Sequence, residues 1–360
     1  MNGPPRKRRN LTNMLVDASE RPTSDKRWSC ARKRLRVAIS WCVAAALLAA
    51  AWPSMATDDA ANYPDKPIHL IVPSPPGDGP DVLSRALGAK LTAAWGQPVV
   101  VENRPGAGGR VGTEAAAKAP PDGYTLIMGN PGSHGINAAV YHDLPYDIER
   151  DFTPITEILR APNVLVVNPA LPVQNVRELI ALFRANPGKY NYASGGNGSS
   201  AQLSAELFKS MAGVDVVHVP YKGATPALAD VMTGNVAMFI GNLATAMPLI
   251  KSGKVKALAV TSVRRSPIVP ELPTLAESGL PGYETLAWVG LFAPAGTPKP
   301  VVDKLQVEVA KAAHAPDIRA LITAQGGEPV GNTSAEFARI VSGDIVKWKR
   351  IVRDAHIHLE

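Results

Sequence analysis

The sequence has almost no cysteine, and outside its first residues it has no long apolar segment and no excess of charge. Its 360 residues include two cysteines, Cys30 and Cys42, and both precede residue 57. Disulfides, thiolate metal sites and cysteine nucleophiles are therefore excluded from residues 57–360. With 46% hydrophobic and 19% charged residues, the chain has the composition of a folded globular protein.

The formal net charge of +7 comes from the first 56 residues. They hold 11 Lys and Arg against three acidic residues, which leaves 27 basic and 28 acidic groups in residues 57–360. Binding to nucleic acid depends on a basic surface, and this remainder has no basic surplus. We therefore expect no nucleic-acid partner.

Residues 1–56 are predicted to be a signal peptide with a long basic leader. A basic cluster at 32–36 precedes an apolar run at 37–52, and Ser54 and Ala56 form a small-x-small cleavage site. The run is shorter than the roughly 20 residues that cross a bilayer, so a permanent anchor is the alternative. We expect cleavage near Ala56 and a periplasmic protein.

Short apolar runs alternate with helical patterns through the rest of the chain. Runs without polar alternation are typical of strands buried on both faces of a parallel sheet. They occur at 68–72, 99–101, 125–128, 164–167, 216–219, 236–240 and 257–260. Stripes such as Leu83, Leu87 and Leu91 predict helices between them, and helices dominate after Pro294. The sequence predicts an α/β protein with two lobes.

Two glycine-rich corners each follow a predicted strand and open a predicted helix. They lie at 73–81 and 193–200. The backbone N–H groups at a helix start are unpaired and lie at the positive end of the helix dipole, and glycine lets a ligand approach them. Two such corners, one in each lobe, could hold the carboxylate ends of a small molecule. The alternative is that both are only caps and turns.

The remaining motifs do not assemble a catalytic or cofactor site. The glycines at 106–112 resemble a dinucleotide fingerprint, but Val111 stands in place of the third glycine. The segment 131–135 is one glycine short of a nucleophile elbow. His69 is expected to be a core residue, and His356 and His358 to lie at a frayed helix end. We expect no metal, no cofactor and no enzymatic activity.

Several ordered blocks of sequence carry a family resemblance. They are Tyr63-Pro64, Lys66-Pro67-Ile68, Pro75-Pro76-Gly77, the run from 96 to 109, Pro121-Asp122-Gly123-Tyr124-Thr125-Leu126, Asn191-Tyr192-Ala193-Ser194, the run from 217 to 223, Ala257-Leu258-Ala259-Val260-Thr261 and Pro294-Ala295-Gly296-Thr297-Pro298. Together they resemble the periplasmic solute-binding proteins of tripartite tricarboxylate transporters, the Bug family. The resemblance extends from Tyr63 to near the C-terminus.

The resemblance implies a type II periplasmic binding protein, with two α/β lobes joined by paired crossover strands. Lobe 1 would comprise 57–161 and a helical part at 287–360, and lobe 2 would comprise 162–286. The expected ligand is a small carboxylate, an amino acid or a nicotinic compound. The expected partner is a membrane permease with a large and a small subunit, and the receptor itself is expected to be a monomer.

The resemblance also assigns candidate ligand-binding residues. The first corner would contribute Ser74, Pro76, Gly77, Asp78 and Gly79, and the second would contribute Ser194, Gly195, Asn197, Gly198 and Ser199. The remaining contributors are Asn130 and Ser133 in the 130–134 loop, Tyr221 with Lys222, and Asn242. Trp288 would lie where the chain returns to lobe 1.

The sequence departs from the family pattern at three positions. The family usually has an aromatic residue where Ser74 stands, a glycine where Asp78 stands and an aspartate where Gly241 stands. Because like charges repel, Asp78 suggests a ligand with an amide or ammonium group rather than a citrate-like trianion. The alternative is that Asp78 caps the following helix.

Two other functions are compatible with the sequence. The same fold could serve a ligand sensor that docks onto a membrane kinase. An exported serine hydrolase is a weaker alternative, because no serine with a histidine–aspartate pair can be assembled from the motifs.

Overall fold

Residues 62–357 are described by a computed structural model of the protein. The predicted signal peptide at 1–56, its cleavage site and His358 lie outside these residues. Within them the chain forms two mixed β-sheets covered by helices.

The first sheet has the strand order β2-β1-β3-β9-β4. The strands are β1 (Ile68–Val72), β2 (Val99–Asn103), β3 (Thr125–Gly129), β4 (Phe152–Val167) and β9 (Leu286–Pro294). Strands β1, β2 and β3 are parallel, whereas β9 runs antiparallel to both β3 and β4. The short strand β10 (Glu328–Pro329) adds to the far side of β4.

The second sheet has the order β8-β4-β7-β5-β6. Its own strands are β5 (Asn191–Ser194), β6 (Val217–Pro220), β7 (Met238–Asn242) and β8 (Lys256–Val260). Strands β5, β6 and β7 are parallel, and β4 is antiparallel to β7 and β8. Both sheets are mixed rather than purely parallel, because β9 runs antiparallel to β3 and β4 in the first sheet and β4 runs antiparallel to β7 and β8 in the second.

Strand β4 belongs to both sheets. Residues 152–162 pair with β9 in the first sheet, and residues 163–167 pair with β7 and β8 in the second. The sequence pattern marked only the end of this strand, because Thr156, Glu157 and Arg160 interrupt the apolar run. These polar side chains are accommodated by an ion pair between Glu157 and Arg160 and by hydrogen bonds from Thr156 to Asn332.

Eleven α-helices are present in the described residues. They are α1 (Gly79–Trp95), α2 (Arg110–Ala117), α3 (Asn137–Val140), α4 (Ile148–Asp151), α5 (Val176–Ala185), α6 (Ser200–Ala212), α7 (Ala224–Thr233), α8 (Leu243–Lys251), α9 (Lys299–Ala313), α10 (Pro316–Ala324) and α11 (Ser334–Asp354). The predicted stripe of Leu83, Leu87 and Leu91 is buried on α1. None of these helices is both long and apolar enough to cross a membrane.

A buried polar cluster joins the two chain crossings. The Thr261 hydroxyl donates to the Thr285 carbonyl and accepts from the Asn163 N–H at 2.8 Å, while the Asn163 carbonyl accepts the Thr261 N–H at 3.0 Å. Ser204 on α6 donates to Thr285 Oγ1 at 3.1 Å. The segments entering and leaving the second sheet are therefore fastened to each other. The predicted lobe boundaries at 161/162 and 286/287 remain predictions. Helix α11 belongs to the segment assigned to lobe 1, but its Trp348 and Ile351 pack in the core of the second sheet.

The close packing of β9 under α11 yields a stability prediction. A Cβ atom on Gly290 would overlap the ring of Phe337, which is buried against Trp288 and Phe292. Gly290→Ala should lower the free energy of unfolding by about 1–3 kcal/mol. In the control, Gly343→Ala places its methyl in open space at an exposed position of α11 and should raise that free energy by about 0.5–1 kcal/mol. Urea denaturation measures both, and equal stability of the two variants would contradict this packing.

Candidate ligand-binding cleft

A cleft of about 830 Å³ lies against the two crossover strands. Its floor is formed by β4 and β9, through Leu159, Asn163, Trp288 and neighbouring residues. Its walls are formed by loops and helix starts that follow strands of both sheets. The cleft is therefore positioned where the chain passes between the two sheets.

The polar groups that line the cleft are neutral, and they lie among apolar residues such as Leu159, Leu286 and Val289. Among the described residues that line it there is no Asp, Glu, Lys, Arg or His. Five asparagines do line it: Asn130, Asn137, Asn163, Asn197 and Asn242. Each asparagine amide can donate two hydrogen bonds and can also accept them. The cleft can therefore solvate an anion only through neutral donors.

Three helices begin at this cleft. Gly79 and Pro80 open α1, Ser200 opens α6, and Ala244 and Thr245 lie in the first turn of α8. Helix starts carry partial positive charge and unpaired N–H groups. They add to the donor character of the asparagine amides.

The first glycine-rich corner uses two of its backbone donors internally. The Gly77 N–H donates to Asp81 Oδ2 at 2.7 Å, and the Asp81 N–H donates to Asp78 Oδ1 at 3.0 Å. Pro80 has no N–H group. Of the residues predicted here, Gly79 lines the cleft, whereas Ser74, Pro76, Gly77 and Asp78 lie outside its lining.

Asp78 caps helix α1. Its side chain accepts the Asp81 N–H, and its backbone has the extended conformation of an N-cap residue. This is the alternative that the sequence left open. A carboxylate used as a cap gives no reason to expect an ammonium group beside it, so the ligand preference inferred from Asp78 has no basis in the geometry.

A buried carboxylate supports the first corner from behind. Asp81 is 3% exposed; it accepts from Gly77, from Asn103 Nδ2 at 2.9 Å and from Arg85. Asn103 also donates to the Ser74 carbonyl. Burial alone would raise the pKa of Asp81, but the hydrogen bonds from Gly77, Arg85 and Asn103 outweigh it and lower that pKa. Asp81 therefore stays ionised and fixes the loop.

The second corner contributes more of its residues to the cleft. Asn197, Gly198 and Ser199 line it together with Ser200. Ser199 is the N-cap of α6, since its hydroxyl accepts the Gln202 N–H at 3.3 Å. The Gly198 N–H, predicted to face the ligand, instead donates to Gln202 Oε1 at 2.7 Å.

Two predicted residues of the second corner face away from the cleft lining. Ser194 is fully buried and contacts His218 Nε2 at 2.6 Å. Gly195 packs against the backbone of Gly223 and Ala224. Both therefore support the corner from outside the cleft.

The other predicted residues lie partly in the cleft and partly outside it. Asn130 and Asn242 line the cleft. Ser133 is buried and contacts His134 Nδ1, whereas Tyr221 is turned toward Asp230, to which its hydroxyl donates at 2.6 Å. Neither of them lines the cleft, and neither does Lys222.

Trp288 forms part of the cleft floor. Its side chain is 2% exposed, and its indole Nε1 donates to Asp344 Oδ2 at 2.7 Å. This hydrogen bond ties the floor of the cleft to α11.

Sequence reasoning missed the start of α8. Strand β7 ends at Asn242 and α8 begins at the next residue, so no glycine-rich loop marks this corner. Asn242 caps the helix by accepting the Thr245 N–H at 3.2 Å. The departure at Gly241 has a steric reason, because a side chain there would overlap the ring of Phe239.

The loop after α10 was also missed. Gln325 lines the cleft and donates to the Gly79 carbonyl at 3.2 Å, and Gly326 lies against the backbone of Ala244. This loop thus connects the starts of α1 and α8. These contacts join positions up to 246 residues apart, and no local sequence signal marks them.

Two serine–histidine contacts occur, but neither forms a catalytic triad. His134 Nδ1 contacts Ser133, and its Nε2 atom has no partner; burial lowers the pKa of His134 to about 3, so the ring is neutral. His218 contacts Ser194 and the Gln202 amide rather than a carboxylate. In the described residues no group of three or more His, Cys, Asp or Glu side chains is arranged to hold a metal ion.

The sequence profile of the tripartite tricarboxylate transporter family receptors matches residues 83–357. The chain belongs to this receptor family. The Bug-family resemblance is thereby confirmed, and so is the expected two-lobed α/β fold with paired crossover strands.

Relatives with known names agree with this membership. The BugT protein of Bordetella pertussis is 36% identical over 302 residues, which cover 84% of this chain and 93% of BugT. Rpa4515 of R. palustris, solved with adipate, is 40% identical with a TM-score of 0.70, and the match covers 82% of this chain and 99% of that protein. MatC from Rhodopseudomonas palustris, solved with bound malate, is 34% identical with a TM-score of 0.67, and the match covers 81% and 100%.

The buried carboxylate behind the first corner yields a second prediction. Asp81→Asn removes the charge that holds Gly77, Asn103 and Arg85, and hydrogen bonds to charged groups contribute about 1.5–3 kcal/mol. Amide hydrogen exchange in residues 74–79 should therefore accelerate by about tenfold or more. The control is Asp303→Asn, which neutralises an exposed carboxylate paired with Lys299 on α9 and should leave the exchange of 74–79 unchanged. Equal exchange in the two variants would show that Asp81 does not hold the corner.

Proposed function

We propose that this receptor captures a small dicarboxylate in the cleft between its two sheets. The observation that carries the proposal is the cleft lining, which combines five asparagine amides and three helix starts with no charged side chain. Carboxylate oxygens are acceptors only, so they match a lining rich in N–H donors. The adipate and malate bound to two relatives belong to the same chemical class.

A neutral lining favours carboxylates for an energetic reason. A buried cation must be desolvated before it can pair with the ligand, and this penalty offsets much of the Coulomb attraction. Helix starts and asparagine amides carry only partial charges, so no full charge has to be desolvated before they contact the ligand. Each helix start carries the equivalent of about half a positive charge, and these partial charges stabilise an anion without a formal partner.

Ligand capture is proposed to close the two halves of the molecule. The starts of α1 and α6 come from different sheets, so a ligand that bridges them binds the closed arrangement more tightly than the open one. The shift toward closure is then set by this difference in affinity. The crossings at Asn163 and Thr261 are the positions about which the sheets would turn.

We propose that the closed receptor delivers its ligand to a membrane permease with a large and a small subunit. Export with cleavage near Ala56 and a monomeric state are part of the same proposal. A kinase-docked sensor would use the same cleft and differs only in its partner. A serine hydrolase has less in its favour, because Ser133 and Ser194 are buried and their histidines contact no carboxylate.

A proline substitution tests the main-chain donor directly. Ser200 is the first residue of α6, where proline is tolerated because that N–H makes no bond within the helix. Ser199 already has φ −72° and ψ 154°, a conformation compatible with a following proline. Ser200→Pro should therefore remove one N–H donor and weaken adipate or malate binding by about tenfold, measured by isothermal titration calorimetry.

Ser200→Ala is the matched control, since it removes the hydroxyl but keeps the N–H. It should change affinity by less than about threefold. Thermal unfolding of both variants monitors helix α6. Equal affinity of the proline variant and the wild type would contradict the proposed role of this helix start.

A further inference from the structure

A chain of hydrogen bonds runs behind the second glycine-rich corner and returns to it. The Gly198 N–H donates to Gln202 Oε1 at 2.7 Å, and Gln202 Nε2 lies 3.2 Å from His218 Nδ1. His218 Nε2 lies 2.6 Å from Ser194 Oγ, and the Ser194 hydroxyl donates to the Gly196 carbonyl at 3.1 Å. The corner is thus held at Gly198 and at Gly196 by one continuous network.

The direction of every bond in this network follows from its first member. A backbone N–H can only donate, so the oxygen of the Gln202 amide faces Gly198 and its NH₂ group faces His218. His218 Nδ1 must then accept, which requires a neutral ring with its proton on Nε2. That proton is donated to Ser194 Oγ, and the serine hydroxyl proton points to Gly196. The network is therefore complete only when His218 is uncharged.

We infer that His218, which does not line the cleft, is a positioning residue for the ligand-binding corner 195–199 and makes ligand capture sensitive to acid. Protonation would place an N–H on Nδ1 opposite the NH₂ group of Gln202. Gln202 must then rotate its oxygen toward His218, and the Gly198 N–H loses its acceptor. This inference rests on the proposed function, because it treats the corner as part of the ligand site.

The surroundings of His218 keep it neutral at ordinary pH. Burial lowers its pKa below the usual 6.5; Glu206 on α6 raises it, and Lys209 on the same helix lowers it. Glu206 is already paired with Lys209 and with the Tyr192 hydroxyl, and the Tyr192 ring stacks on His218 at 4.9 Å. The network is therefore intact near neutral pH and is lost as pH falls through the lowered pKa.

The first arm of the test needs no ligand. Amide hydrogen exchange of residues 195–199, corrected for intrinsic rates, is measured between about pH 7.5 and pH 4.5. In the wild type, protection should fall by about fivefold or more across this range. His218→Asn places a non-titrating oxygen near the position of Nδ1, so protection should be lower overall but independent of pH. His314→Asn, which changes an exposed histidine at the end of α9, should retain the wild-type profile.

Gln202→Glu gives a readout that a purely structural role would not produce. A carboxylate can accept from Gly198 and from a protonated His218 at once, so the pKa of His218 should rise and the corner should stay protected in acid. A wild-type profile that is flat with pH would overturn the inference. So would an unchanged acid loss in His218→Asn or Gln202→Glu.

The second arm measures adipate and malate affinity over the same pH range. Titration of the ligand's own carboxyl groups cancels in the ratio of wild type to His218→Asn, and this ratio should change by about fivefold between the two pH limits. Absence of binding at every pH would contradict the proposed function, while the exchange profiles would still decide the role of His218. Binding whose ratio does not change with pH would overturn the link from His218 to ligand capture.

Discussion

The proposed site holds an anion without a charged side chain beside it, and this constraint governs how the cleft is built. Partial charges at helix starts are weak individually and fall off within one turn, so several must converge on the same small volume. The two crossover strands make this convergence possible. They place loops that follow strands of two different sheets at a common floor, where α1, α6 and α8 all begin. One well-placed arginine would be enough to form an ion pair with the ligand, whereas convergent helix starts require loops from both sheets to meet at the same floor.

The donors at the helix starts are backbone groups, and the loops that carry them are held by residues outside the cleft lining. Asp81 holds the first corner through Gly77 and Asn103, and Gln202 with His218 holds the second. Neither Asp81 nor His218 lines the cleft. Polar residues outside a site can therefore decide its geometry, and the backbone N–H groups that they bind are no longer available to a ligand.

Local patterns in the sequence predicted most of the strands and helices and the two glycine-rich corners. They could not show that β4 starts at Phe152, because a polar strand segment looks like a loop until its partner β9 is known. They also missed α8, whose start has no loop, and Gln325, whose contact with Gly79 bridges 246 residues. The sequence could not show which backbone N–H groups remain free, because this depends on side-chain geometry. Gly77 and Gly198 were predicted to donate to a ligand, but their N–H groups donate to the side chains of Asp81 and Gln202. The family resemblance supplied the crossover strands, which periodicity alone did not.

A crystal structure of the protein with bound adipate would test this mode of binding most directly. Carboxylate oxygens are expected within about 3.2 Å of the Ser200 N–H and of asparagine side-chain amides, with no Lys or Arg nitrogen within about 4 Å. A ligand carboxylate paired with a lysine or arginine, or bound away from the crossover strands, would contradict it.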